Sequence, residues 1–310
     1  MTCPLPYLLP IVFCCAVFSS IQAEEPPTRR SGFFSDSTLD TVAKPKKPTT
    51  LTRIYRRDIP VGNPRLGDPK AIKEFERLMA EEEAKYQAML EEEQKRPPFV
   101  DDAEKLTQLD PKERIWVSLE KKQVIVNGRI AFREGPLELF ACRAGSKEHE
   151  SIVSVRVMPH LIHAALIVVG AKQGKPVEYD PEYKPATGQE IDIKVRWKGD
   201  GGKINEARAQ DWVCDISASR KAGDTEKIPM TTHWVFTGSK LYKTDEGENI
   251  YIADQSGELI SLSNFVGAIL DIPIESTSAN ENLLFGCMTE KIPELGTPVT
   301  LVLTPVKKER

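Results

Sequence analysis

The chain has 310 residues, and its 42 Lys and Arg against 46 Asp and Glu leave a formal net charge of -4. This near balance excludes an electrostatic preference of the whole chain for nucleic acid, so no nucleic-acid partner is expected. The length is sufficient for one domain of about 200 residues with extensions on either side.

Residues 1–23 are typical of a secretory signal peptide, because an apolar run from about Leu5 to Phe18 is followed by small and polar residues up to Ala23. The run is shorter than the ~18 residues of a membrane-spanning helix. An uncleaved anchor, or lipidation at Cys14 or Cys15, stays open as an alternative. We therefore predict an exported protein, periplasmic or secreted, with no transmembrane span in the mature chain.

Residues 24–67 are rich in proline and in basic residues and show little apolar periodicity. Such a composition cannot bury enough apolar surface to offset the chain entropy, so we predict a disordered linker. Its positive charge would suit an anionic surface, and the alternative is a solvated linker without a partner.

Residues 68–98 predict a long charged helix, which starts at Pro69 and stops before Pro97 and Pro98. One approximate apolar stripe is formed by Ile72, Phe75, Met79, Tyr86 and Met89. Glu82 falls where a heptad repeat requires an apolar side chain. Two interpretations stay open: a coiled coil or partner-docking helix that oligomerises through residues 69–96, or a charged spacer with one face on the following domain.

Residues 112–306 predict an α+β, β-rich domain with an antiparallel or mixed sheet and one buried helix at about 159–170. Strands are predicted from Ile115 to Leu119 and from Gln123 to Val126, and Asn127-Gly128 is the dipeptide that favours a tight hairpin turn. The segment EIDIKVRW alternates with period two, so Ile191, Ile193, Val195 and Trp197 should face one side of the sheet. The segments HWVFTG, NIYIAD, ELISLS and VTLVL predict at least four more strands.

The strongest chemical signal lies between residues 135 and 171, which hold three of the four histidines. Candidate ligands for zinc or a similar transition metal are Cys142, His149, His160 and His163. Their spacing matches no standard metal signature, so no cofactor is otherwise expected. The alternative for His163 is a core histidine with one hydrogen-bonded partner.

Two further interpretations concern the same region. Cys142 would be a thiolate if Lys147 and His149 lowered its pKa, with a histidine as base and Glu150 orienting it, which would suit acyl transfer or redox exchange. Alternatively, residues 145–151 form a polar loop that either binds a ligand or is simply solvated. The catalytic residues, if any, stay unassigned.

Outside the signal peptide the cysteines are Cys142, Cys214 and Cys287. Three is an odd number for an exported protein, so either Cys214 pairs with Cys287 and leaves Cys142 free, or all three are buried thiols.

The ordered motifs GPLELFACRAGSKEHES, HLIHAALIVVGA, DWVCD, HWVFTGS, LISLSNFVGAILDIPIES and TEKIPELGTPVTLVL resemble the YdjY-domain family of bacterial exported proteins over about residues 112–305. The resemblance implies a secreted or periplasmic β-rich domain and nothing about its substrate. The cysteine pattern departs from that of relatives labelled as iron-sulfur proteins, so that cofactor is not carried over. The positions that match the family motif are Cys142, Lys147, His149, Glu150, Ser151, His163, Trp234, Ser263, Asn264 and Phe265.

We expect the first six of these positions to form a ligand site and Trp234 and Phe265 to belong to the core. Common hydrolase, nucleotide and calcium motifs do not occur. The expected function is therefore a non-enzymatic exported module that binds an unknown envelope ligand or protein. The alternative is a metal- or thiol-dependent envelope enzyme that uses Cys142, His149 and His163.

Overall fold

The computed structural model describes residues 69–307, apart from 224–225, 245–246 and 279–282. The predicted signal peptide and linker lie outside the described residues. The helices are α1 (Pro69–Lys95), α2 (Pro159–Val168), α3 (Ile216–Lys221) and α4 (Ile252–Ser256). The strands are β1 (Thr107–Gln108), β2 (Ile115–Ser118), β3 (Gln123–Ile130), β4 (Leu139–Arg143), β5 (Ser151–Val155), β6 (Glu190–Lys198), β7 (Ile204–Arg208), β8 (Val213–Asp215), β9 (Trp234–Phe236), β10 (Leu241–Lys243), β11 (Asn249–Tyr251), β12 (Glu258–Ser261), β13 (Leu270–Asp271), β14 (Phe285–Cys287) and β15 (Pro298–Pro305).

The main sheet closes on itself. Its strands follow the order β3-β15-β6-β9-β13-β12-β4-β5, and β5 then pairs with β3, which completes an eight-stranded barrel. The pairs β4–β5 and β12–β13 are parallel, whereas the other pairs around the ring are antiparallel. The β-rich prediction with a mixed sheet is confirmed, and closure into a barrel is an additional feature that the sequence did not predict.

The barrel interior is filled by the alternating apolar positions of the strands. Ile191, Ile193 and Val195 of β6 are fully buried, as their period-two spacing predicts. Helix α2 adds Ile162 and Leu166 to the same core, which confirms the predicted buried helix.

The predicted hairpin turn at Asn127-Gly128 is wrong, because β3 runs straight through both residues and the chain turns earlier, between β2 and β3. Gly128 lies where β3 changes partner from β2 to β5. A Cβ atom there would lie 2.6 Å from the carbonyl oxygen of Ser154, so only glycine permits this close approach. Asn127-Gly128 therefore lies where β3 pairs with β5 and closes the barrel.

The C-terminal part of α1 packs against the barrel. The Arg156 guanidinium donates to the buried Tyr86 hydroxyl at 3.1 Å, and Arg129 forms an ion pair with Glu93 at 3.1 Å. The charged helix is thus confirmed with one face on the domain, while the coiled coil stays a prediction.

Within the described residues, no helix combines the length and the apolar character needed to cross a bilayer.

Arg96, the residue after α1, hydrogen-bonds to strands β3 and β15 of the barrel. The Arg96 guanidinium donates to the carbonyls of Gly128 and Val299, and the Arg96 carbonyl accepts from the Asn127 side chain at 2.9 Å. The Thr300 hydroxyl in turn donates to the Asn127 amide oxygen at 2.8 Å. We call Glu93, Arg96, Asn127, Arg129 and Thr300 the latch.

The three cysteines are buried free thiols, so the alternative without a disulfide is the one observed. Cys214 lies opposite Gly286, and Cys287 lies opposite Val213, in the antiparallel pair of β8 and β14. Since neighbouring residues of a strand point to opposite faces, this register directs the two sulfurs away from each other.

Candidate functional site

Lys147 lies in the turn between β4 and β5 and is surrounded by carboxylates from three segments. Its ammonium lies 3.5 Å from Glu138, 3.5 Å from Glu150 and 3.4 Å from Glu258. It also stands 4.0 Å from the centroid of the half-buried Phe265 ring, a cation–π contact. We call these five residues the Lys147 cluster.

The charges of the Lys147 cluster do not balance, because three carboxylates share one ammonium. Burial opposes the charged form of Lys147, but Glu258, Glu150 and Glu138 together outweigh it and raise the pKa of the ammonium. Burial and the neighbouring charge of Glu150 raise the pKa of Glu138. The lysine is therefore stabilised in its protonated form, and three carboxylates share its one positive charge.

Asn264 organises the turn that presents Phe265, with a left-handed backbone at φ 53°. Its carbonyl oxygen accepts from the Tyr179 hydroxyl at 2.7 Å, and its side-chain oxygen accepts from the Ser276 amide at 2.7 Å. The Tyr183 hydroxyl approaches the same side-chain oxygen at 3.4 Å. The Asn264 side chain also donates to the Ile272 carbonyl at 3.0 Å, so the turn is held from several directions.

Asp271 is fully buried beside this turn. Its carboxylate lies 3.4 Å from the Asn264 side-chain nitrogen and accepts from the Ile272 amide at 2.8 Å. Burial outweighs these contacts and raises the pKa of Asp271 to about 7. We call Asn264, Asp271, Tyr179 and Tyr183 the Asn264 hub, and Phe265 connects it to the Lys147 cluster.

Of the six predicted site residues, only Lys147 and Glu150 belong to the Lys147 cluster. His149 is 67% exposed and lies 3.6 Å from Glu150. Ser151 is fully buried, and its side chain lies beside the Cys142 thiol. Ser263, next to Asn264, is also buried, and its hydroxyl has no hydrogen-bond partner in the described part of the chain.

Cys142 is enclosed in the sheet, and the predicted lowering of its pKa is wrong. Burial raises the pKa of its thiol to about 12, because the thiolate would lose its hydration. The ammonium of Lys147, expected to stabilise a thiolate, is instead held by the three glutamates.

The histidines of the predicted metal set have other partners. His163 Nδ1 lies 2.7 Å from the Tyr251 hydroxyl, and burial lowers the pKa of this imidazole. His160 Nδ1 lies 2.8 Å from Asp254, whose other carboxylate oxygen accepts the His160 amide. Over the described ranges, no group of three or more His, Cys, Asp or Glu side chains is arranged to hold a metal ion, so Cys142, His149, His160 and His163 do not form one.

The sequence interpretation missed Glu138, Glu258, Asp271, Tyr179 and Tyr183. Glu138 and Asp271 had a usable signal, because each is a lone charge within an apolar segment, and such a charge is rarely buried without a special environment. The tyrosines had none, since their proximity to Asn264 depends on tertiary structure.

The assignment of the two aromatic motif residues to the core is half right. Trp234 is fully buried and donates to the Ser261 carbonyl at 2.7 Å. Phe265 is only half-buried and forms part of the site, because the turn at Asn264 directs it under Lys147.

Comparison with known proteins identifies a family. The family model described as the YdjY domain matches residues 115–304. No curated protein and no solved structure matches the chain.

Proposed function

The chain belongs to the YdjY-domain family, and from this premise we propose that it is an exported, non-enzymatic module that binds a cell-envelope ligand through the Lys147 cluster and the Asn264 hub. The observation that carries the proposal is the convergence of Glu138, Glu150 and Glu258 on Lys147 above a half-exposed Phe265.

A cluster of this composition is unfavourable for folding alone. One carboxylate would neutralise Lys147, and each further half-buried carboxylate adds desolvation and repulsion. Perturbed charges of this kind concentrate at functional sites, and the cluster lies on the loops next to short strands, where binding residues are commonly placed. These arguments support ligand binding over a purely structural ion pair.

No described contact favours the metal- or thiol-dependent alternative. An enzyme using Cys142, His149 and His163 would need these side chains to converge on one cavity. Cys142 is enclosed, His149 is exposed, and His163 lies against Tyr251 and the Phe236 ring.

The binding half of the proposal is tested with fractionated envelope extract and the full-length mature chain. A ligand that binds only the folded state raises the thermal unfolding midpoint. We expect at least one fraction to raise the midpoint of the wild type but not that of Lys147→Met. The matched control is Lys194→Met, which removes an exposed lysine paired with Glu206 at 2.8 Å and should respond like the wild type. A midpoint that no fraction changes, or an equal response of all three proteins, would refute the site.

Export is tested separately by cell fractionation. We expect the full chain to reach the periplasm or medium with an N terminus near Glu24, and deletion of residues 1–23 to keep it in the cytoplasm. Retention of the full chain in the cytoplasm would contradict this half of the proposal.

A further inference from the structure

Tyr179 and Tyr183 form an aromatic pair at the surface of the Asn264 hub. Their ring centroids are 6.0 Å apart, and the ring planes are inclined by 53°. Tyr179 is 53% exposed although its hydroxyl is engaged by the Asn264 carbonyl, so the exposed area belongs to the ring. Tyr179 is therefore fixed at its hydroxyl end with its ring exposed, and the partly buried Tyr183 ring lies against it.

The charges around this pair are negative. Asp271 and Glu275 are the charged groups that act on both tyrosine hydroxyls, and with burial as the largest cause they raise the pKa of each. Glu275 is exposed at the surface. The lysine next to the pair in sequence, Lys184, is held by Glu178 at 3.0 Å. Aromatic faces beside carboxylates create a surface potential that attracts cations.

Since it rests on the proposed binding function, this inference names the ligand class of the same site: we propose that Tyr179 and Tyr183 form two walls of a site for an organic cation, a substituted ammonium group, with Glu275 as its counter-charge. The Lys147 cluster provides an internal precedent, because there an ammonium already stands over an aromatic ring among carboxylates. Fixed rings lose little conformational entropy when they bind, which favours recognition by their faces.

The test compares two probes of nearly the same shape on the full-length mature chain. Choline carries a quaternary ammonium, and 3,3-dimethylbutan-1-ol replaces that nitrogen by carbon and is neutral. We expect choline to bind about tenfold more tightly in calorimetric or ligand-observed NMR titrations, because only the cation interacts with the ring quadrupoles and Glu275. Equal affinity of the two probes, or no binding of choline, would overturn the inference.

Variants locate the binding. Tyr179→Leu and Tyr183→Leu should each weaken choline binding about tenfold, whereas Tyr179→Phe keeps the ring and should stay within about threefold of the wild type. The matched control is Tyr242→Leu, which removes an exposed tyrosine of β10 and should leave the affinity unchanged. If Tyr179→Leu binds choline as the wild type does, the cation lies elsewhere and the inference fails.

The proposed binding function and the proposed ligand class would be refuted by different results. If choline does not bind, but an envelope fraction stabilises the wild type and not Lys147→Met, then the ligand class is wrong and the binding function stands. If choline binds as described and no envelope fraction has an effect, the organic-cation site is supported and the Lys147 cluster loses its role.

Discussion

The latch and the Lys147 cluster both place charged side chains in partly buried positions, but the excess charge is positive in the latch and negative in the Lys147 cluster. In the latch, Arg96 and Arg129 face a single buried carboxylate, Glu93, and Arg96 directs its guanidinium to two strand carbonyls. In the Lys147 cluster the surplus is negative, and three carboxylates share one ammonium.

The difference separates a structural contact from the region that we propose as the binding site. Burial lowers the pKa of Arg96 to about 10, but its hydrogen bonds go to backbone atoms that no ligand can displace without opening the barrel. The surplus carboxylates of the Lys147 cluster have no second cation among the cluster residues, and the ammonium that they share stands over the half-buried Phe265 ring. Charge matched to the backbone serves structure, and unmatched charge beside aromatic rings suits binding.

The largest expected effect concerns Asp271→Asn, in the Asn264 hub. The folded-state pKa of Asp271 is raised from 3.8 to about 7, so the native state holds the proton more tightly than the unfolded state does. The stabilisation present below pH 4 is therefore lost as the pH rises towards 7. Asn cannot ionise, so we expect the variant to be more stable than the wild type by about 4 kcal/mol at pH 8.

Chemical denaturation at pH 4 and pH 8 checks this prediction. The difference between Asp271→Asn and the wild type should be small at pH 4 and grow between pH 4 and 7. A difference that is independent of pH would mean that the carboxylate stays ionised in the native state.

The next effect concerns Glu93→Ala, in the latch. Removal of the buried Glu93 leaves the partly buried Arg129 without this counter-ion, which should lower the free energy of unfolding by about 3 kcal/mol. The matched control is Glu81→Ala on the same helix, where the partner Arg77 is exposed and solvent screens the pair, so the loss should be much smaller. Equal losses in urea denaturation would show that α1 is not held by this pair.

A smaller effect is expected for Lys147→Met, which leaves Glu138, Glu150 and Glu258 facing one another. We expect a loss of about 2 kcal/mol at pH 7 and less at pH 5, because protonation relieves the repulsion. Lys194→Met, which removes an exposed pair, should cost below about 0.5 kcal/mol at both pH values. If Lys147→Met is as mild as this control, the glutamates are already neutral.

The smallest effect is expected for thiol reagents at pH 8. The three cysteines of the described residues are buried, and burial raises the pKa of Cys142 and of Cys287 to about 12. The native mature chain should therefore react many times more slowly than the same chain unfolded in urea, in which these three thiols should all be accessible. Rapid modification of Cys142 in the native state would restore the thiol-dependent hypothesis.

Much of the fold was predictable because it depends on local pattern. The period-two alternation of Ile191, Ile193 and Val195 predicted which face of β6 lies in the core, and the proline-bounded charged run predicted α1.

The candidate site was less predictable than the fold. Lys147 and Glu150 were found because they lie in one loop, whereas Glu138 and Glu258 reach them through the pairing of β4 with β5 and β12.

The sequence by itself determined the family, the β-rich composition of residues 112–306, the buried helix and the charged helix before the barrel, because motif order, periodicity and proline positions act over short distances. The features that depend on strand register were determined by the tertiary structure. Asn127-Gly128 lies within β3, where the barrel closes, and not in a turn. The sulfurs of Cys214 and Cys287 lie on opposite faces of their strand pair, and distant carboxylates contact Lys147. Register follows from how all strands pack together, so no single segment contains it.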